Sequence, residues 1–201
     1  MVPTIEVEPE QLYNQWSLLY ERLRFSNLAV VPPAFTREQV IEMQEREVPR
    51  MPIFVHPGIG RTYILDMGVR GLKMSFGTYS TLQRLSRVHA AGSGWVFVEA
   101  SEQAPFKREL KSGIQPQEVL VREGALGMSI EEYAIFAMYC REFLHCSPDT
   151  HGSSLLRGSQ STTGNGVWAF THDADGLCVA DSASPKFWAH GLGMRSVIQV
   201  G

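Results

Sequence analysis

The stretch Ser129-Ile130-Glu131-Glu132-Tyr133-Ala134-Ile135-Phe136-Ala137-Met138-Tyr139-Cys140-Arg141-Glu142-Phe143-Leu144 decides the fold class. It opens on a capping box, in which a Ser hydroxyl accepts from the third helical N–H while the Glu at that position reaches back to the N–H of the Ser. Tyr133, Phe136, Ala137, Cys140 and Leu144 then recur at i, i+3, i+4, i+7 and i+11, one face of a helix. The spacing predicts a central helix from about 129 to 145.

On its C-terminal side the pattern turns to short β runs split by glycines: 153–156, 167–172, 177–181, 187–190 and 195–200. Asp173-Ala174-Asp175-Gly176 has the residues of a tight hairpin turn, with Gly176 free to take positive φ. An antiparallel meander is expected there, cored by Trp168, Phe170, Phe187, Trp188 and Met194. An aromatic residue left on its outer face, Trp188 among them, would mark a binding surface.

On the N-terminal side, Pro9 heads a helix whose Leu12, Trp16, Leu19 and Leu23 make an apolar stripe, and Thr36-Arg37-Glu38-Gln39 is a further capping box. Between them Leu28–Val31 reads as a short strand or buried connector halted by Pro32-Pro33. Pro49 and Pro52 end the helical third, residues 9–48. The middle, 53–127, reads as paired strands at 53–56 and 62–67, a helix from Ser80 or Thr81 to a Gly92 cap, and a strand at Trp95–Val98 apolar on both faces. A mixed-charge surface loop over 101–127 follows, with a short strand at 119–121.

These pieces sum to one α+β domain spanning 1–201: N-terminal helices and a central helix packed on a mixed or antiparallel sheet, with helix plus meander over 128–201. Of 201 residues, 44% are apolar and 19% charged, enough to build one core. No run approaches the roughly 20 apolar residues of a membrane span, and the first residues are acidic where a signal peptide is basic. Three cysteines are too few for a disulfide framework. The expected compartment is the cytoplasm, with no membrane contact.

Net charge is −3, yet residues 61–111 carry 8 Lys/Arg against 4 Asp/Glu. Arg84, Arg87, Lys107, Arg108 and Lys111 make this basic segment, near Tyr79, Trp95 and Phe106, and basic and aromatic side chains together can bind a single strand by charge and stacking. Glu109 interrupts it, and the pI of 6.1 lies far from that of a nucleic-acid binder, so a solvated basic face is the simpler reading and nucleic acid the weaker one.

Cys140, His145, Cys146, Asp149 and His151 form the densest group of zinc-type ligands. Five residues on a helix send Cys140 and His145 to different sides, no C-x-x-C pair occurs, and Cys140 falls on the apolar stripe. Cys146 and His151 remain the residues through which a metal would be held, with packed thiols and surface histidines favoured. His172 to Asp181 mimics the opening of a calcium loop but has Ser182 where a bidentate Glu belongs. Six histidines permit many nucleophile-and-base pairings, of which Cys178 with His172 or His190, on adjacent hairpin strands, is the least implausible, a core thiol being the simpler alternative. Gly158 to Gly166 could cradle an anion but lacks the Gly-Lys-Ser/Thr ending of a phosphate loop, so it reads as a flexible β connection.

The segments Met128–Glu132, Ser154–Ser159, Gly166–Ala169 and Lys186–His190 together resemble an uncharacterised family of small bacterial proteins of unknown function, over about the last 75 residues. Ala189-His190-Gly191-Leu192 departs from that family's tryptophan-rich ending. The resemblance implies an intact helix-then-meander unit and no activity. No cofactor is expected, and catalytic residues are unassigned. The functional expectation is a non-enzymatic binding or protein-interaction module, with a protein partner or self-association. The alternatives are a hydrolase-like enzyme whose His, Cys and Asp meet only in three dimensions, and nucleic-acid binding through 84–111.

Overall fold

A computed structural model describes residues 8–25, 27–69, 73–74, 76–87, 94–101, 116–172, 176–182 and 192–200. In chain order they form α1 (Pro9–Arg22), α2 (Arg37–Gln44), β1 (Arg50–Phe54), α3 (Arg61–Val69), α4 (Phe76–Leu82), β2 (Leu85–Arg87) and β3 (Trp95–Glu99). Then come α5 (Pro116–Arg122), β4 (Leu126–Gly127), α6 (Ile130–Tyr139), β5 (Ser153–Leu155), β6 (Ser159–Ser161), β7 (Gly166–His172), β8 (Gly176–Ser182), β9 (Leu192–Met194) and β10 (Ser196–Gln199). The fold is α+β, with a C-terminal strand meander.

The strands make two four-stranded sheets, β1-β3-β10-β4 and β8-β7-β5-β9, and a ribbon, β2-β6. The first sheet is antiparallel throughout. In the second, β7 pairs antiparallel with β5 and β8, while β9 lies parallel to β5. The chain leaves that sheet at Arg195, and β10 crosses to the first sheet to pair with β3 and β4.

Helix α6 touches β1 of the first sheet and β7 of the second. All ten of its residues are buried, Glu131 and Glu132 included. A helix covered on every side sheds the amphipathic pattern of a surface helix. The capping box that starts it is formed: Ser129 Oγ accepts from Glu132 N at 3.3 Å, and Ser129 N donates to Glu132 Oε2 at 2.6 Å. That cap is worth about 1 kcal/mol of helix stability. Beyond Tyr139 the helix widens into a π-helical turn, Cys140–Leu144, and stops at His145 in the left-handed region at φ 52°.

α1 starts at Pro9 and buries Leu12, Trp16 and Leu19, with Leu23 buried at its C-cap. Each such side chain contributes roughly 1.5–3 kcal/mol of burial. Trp16 stacks on Tyr139 of α6 at 4.7 Å and meets Trp95 of β3 edge-on at 6.3 Å, so helix, helix and sheet share one aromatic joint. The Thr36 capping box opens α2 as expected. Residues 28–31 form an irregular connector, from which the Val31 carbonyl accepts the Trp95 indole N–H at 2.8 Å. β3 is buried on both faces, as its sequence predicts.

Four expectations are corrected. Residues 62–67 lie in helix α3, not in a strand: Ile64 and Met67, three apart, are both buried, and this spacing serves one helical face where a strand would send them to opposite faces. The run 119–121 is likewise helical, burying Val119 and Leu120 while Val121 stands 70% exposed. The helix read from residue 80 ends instead at Leu82, and Leu85–Arg87 is strand because β6 supplies ladder partners from 74 residues away. The segment 158–166, read as a flexible connection, contains β6, and its Ser161 and Thr163 are held by Asp181. Gly92, the 102–115 part of the expected loop, the 187–190 run and residues 173–175 of the hairpin turn lie outside the described residues. The strands flanking that turn do pair, His172 opposite Gly176, and Gly176 has φ +71°.

Candidate functional site

The end of α6 and the loop after it bring together the most unusual backbone and the most buried charge in the described molecule. Cys140 O accepts the N–H of His145 and, at 3.2 Å, that of Cys146. His145 and Asp149 both hold positive φ, at 52° and 57°, a conformation uncommon outside glycine. Left-handed Asp149 turns its carboxylate inward, where both it and Arg195 are 0% exposed.

Arg195, between β9 and β10, clamps that carboxylate with two N–H donors: Nε to Oδ2 at 3.1 Å and Nη2 to Oδ1 at 2.9 Å. Tyr133 Oη and Ser154 Oγ also donate to Oδ2, at 3.0 and 2.6 Å. The remaining reach of the guanidinium goes to backbone, with Nη1 on Glu99 O at 2.7 Å and Nη2 on Ser101 O at 2.9 Å, and its carbon lies 5.1 Å over the Phe136 ring. Burial by itself would lower the Arg195 pKa, but the Asp149 charge and hydrogen bonds override it and the guanidinium stays protonated. Burial, then the Asp149 charge, pushes the Tyr133 phenol well above its ordinary range, so it remains a donor.

Glu99 carries the network into a second ion pair. Its Oε1 meets Arg50 Nη2 at 3.4 Å, and its Oε2 accepts Ser196 N at 3.1 Å. Arg50 in turn binds Ser196 O at 3.1 Å and Ser196 Oγ at 2.7 Å. Residues from β1, β3, β10, α6 and the 145–152 loop are thereby tied by charge across the interior.

Of the zinc-type group, Cys140 is buried and Cys146 exposed, and the two thiols lie within hydrogen-bonding reach of each other. That contact, then burial, raises the Cys140 pKa well above its usual value. His151 is exposed. Among the described residues no three His, Cys, Asp or Glu side chains converge as a metal ion requires. Cys178 sits on β8 half-buried, while the His172 side chain and His190 lie outside the described residues.

Of the basic segment, Arg84 pairs with Asp181 through Nη2 at 2.9 Å and Nε at 3.2 Å, and Arg87 pairs with Glu131 at 3.5 Å while donating to Ile59 O. Asp181 also accepts Ser161 Oγ at 2.7 Å. Lys107, Arg108, Lys111 and Trp188 lie outside the described residues. Arg50, Glu99 and Arg195 carry no motif in the sequence; for Arg50 and Glu99 the one available signal is charge at the ends of otherwise apolar strands, and Arg195 lies between two strands.

No protein-family model matches the chain, and neither does any curated protein or solved structure. Among the described residues no helix is long and apolar enough to cross a membrane.

Proposed function

We propose that this chain works as a non-enzymatic binding or interaction module. The observation that carries the reading is where its charge is committed. Asp149 faces Arg195, Glu99 faces Arg50, Glu131 faces Arg87 and Asp181 faces Arg84, and the first two pairs are 5% exposed or less. A general acid or base needs a proton path to a substrate, and a carboxylate saturated by fixed donors in a dry interior has none. Arg84 and Arg87, held by carboxylates, are poorly placed to neutralise a phosphate backbone. Leu18 on α1, Val31, Ile41 on α2 and Val121 on α5 meanwhile stand 40–70% exposed, and large apolar side chains of this kind supply contact area to a protein partner.

Light scattering across a concentration series tests the reading. Self-association predicts a mass above the 22.5 kDa monomer that falls back in Val121→Asp. A monomer at every concentration directs the reading to a different protein as partner. Turnover of generic ester substrates by the wild type, or oligonucleotide binding that falls steeply with salt, would replace it with the enzyme or the nucleic-acid alternative.

A further inference from the structure

We propose that Cys140 and Cys146 are a peroxide-sensitive dithiol that closes reversibly into an intramolecular disulfide at the end of helix α6. The first ground is proximity. The Cys146 N–H bonds to the Cys140 carbonyl at 3.2 Å, which with standard bond lengths holds the two Cα atoms within about 7 Å, the upper edge of disulfide geometry. The Cys146 side chain also hydrogen-bonds with the Cys140 thiol and raises its pKa, in keeping with that proximity.

The second ground is asymmetry. Cys146 is exposed and meets a small oxidant first, whereas Cys140 is buried. The third is the backbone. Residues 145–147 belong to no helix or strand, follow a π-turn, and begin with a left-handed His145, so the segment bearing Cys146 has room to adjust while Cys140 stays anchored on the helix.

The reaction balances with hydrogen peroxide as oxidant. The Cys146 thiolate attacks one peroxide oxygen, the O–O bond breaks, and after proton uptake a sulfenic acid and one water result. The Cys140 sulfur then attacks the sulfenic sulfur, the S–O bond breaks, and the Cys140 proton leaves with the hydroxide as a second water. Two thiols lose two electrons and peroxide gains them. A thiol reductant reverses the bond. The disulfide would pin the π-turn to the loop that carries Asp149, beside the Arg195 anchor.

The test treats the folded full chain with stoichiometric hydrogen peroxide, blocks the remaining thiols with an alkylating agent, and maps peptides by mass spectrometry. The expected product is lighter than the reduced chain by two hydrogens, carries a Cys140–Cys146 crosslink, leaves Cys178 alkylated, and returns to three alkylated cysteines after dithiothreitol. Cys146→Ser, a change at an exposed position, should abolish the crosslink with Cys140 still reduced. Cys146 accumulating as sulfinic acid in the wild type while Cys140 stays reduced, or disulfides forming only between chains, would overturn the proposal.

Discussion

Asp149 accepts three hydrogen bonds on one oxygen and a fourth on the other, all inside the molecule. Taking two charges out of water costs several kcal/mol per ion, and this is offset only where geometry and hydrogen bonds are complete. The Asp149–Arg195 pair meets that condition because Tyr133, Ser154 and two backbone carbonyls complete its shell. Losing one partner strands the other charge. Asp149→Asn should therefore cost about 3–5 kcal/mol, against about 1 kcal/mol for Ser154→Ala, which removes a single donor. Urea midpoints followed by circular dichroism decide the matter, and equal losses for the two variants would mean that the ion pair is not the anchor. Among the described residues, the buried indole N–H of Trp16 and the hydroxyl of Ser153 meet no hydrogen-bond partner.

Elements that are short on their own are held by cross-links between them. The ribbon β2-β6 has three residues per strand, too few to stand alone. It is fastened to β8 through Asp181, which receives Arg84 from the end of α4 and Ser161 from β6. The Arg84 hydrogen bonds hold the Asp181 carboxyl below its ordinary pKa. A depressed carboxylate stabilises the fold above its unfolded pKa, and that contribution is lost as pH falls through the lower, folded value. The urea midpoint of Asp181→Asn should thus lie below wild type at pH 7, and the gap should close as pH drops below about 4. A gap independent of pH would show that the hydroxyl contacts, not the charge, hold the ribbon. Close approach matters at this scale too: a Cβ at Gly127 of β4 would run into Cβ and backbone of Arg157, so the turn between β5 and β6 can lie this close to β4 only because the position is glycine.

At the scale of the whole molecule, α6 is the part that both sheets need, since it lies against β1 on one side and β7 on the other. Its amides should be the slowest to exchange with deuterium and should do so only by global unfolding, with the short α2 exchanging much faster. Exchange of α6 through local opening would place the cooperative core elsewhere. The capping boxes of α2 and α6, Pro9 of α1 and the buried strand β3 were legible because their signals are local: a hydroxyl, a ring or a run of apolar side chains acts on neighbours within a turn or two. Residues 62–67 and 119–121 misled because β-branched and aromatic residues suit strands on their own, and a helix there is favoured only by the surface each one buries. The meander was readable as strands, but not the parallel partnership of β9 with β5 nor the crossing of β10 to the other sheet. Cys140 and Cys146 could be named from the chain, and their thiol contact could not, because it depends on a helix that widens to a π-turn before it stops. Asp149, Arg195, Glu99 and Arg50 were just as hidden. Local sequence determined which segments are helix or strand wherever a neighbouring residue supplies the hydrogen bond or the stripe. Tertiary structure alone decided which charges could leave water, because a buried ion is tolerated only where its opposite charge arrives with the right geometry, and for Asp149 and Arg50 that charge lies 46 and 49 residues away.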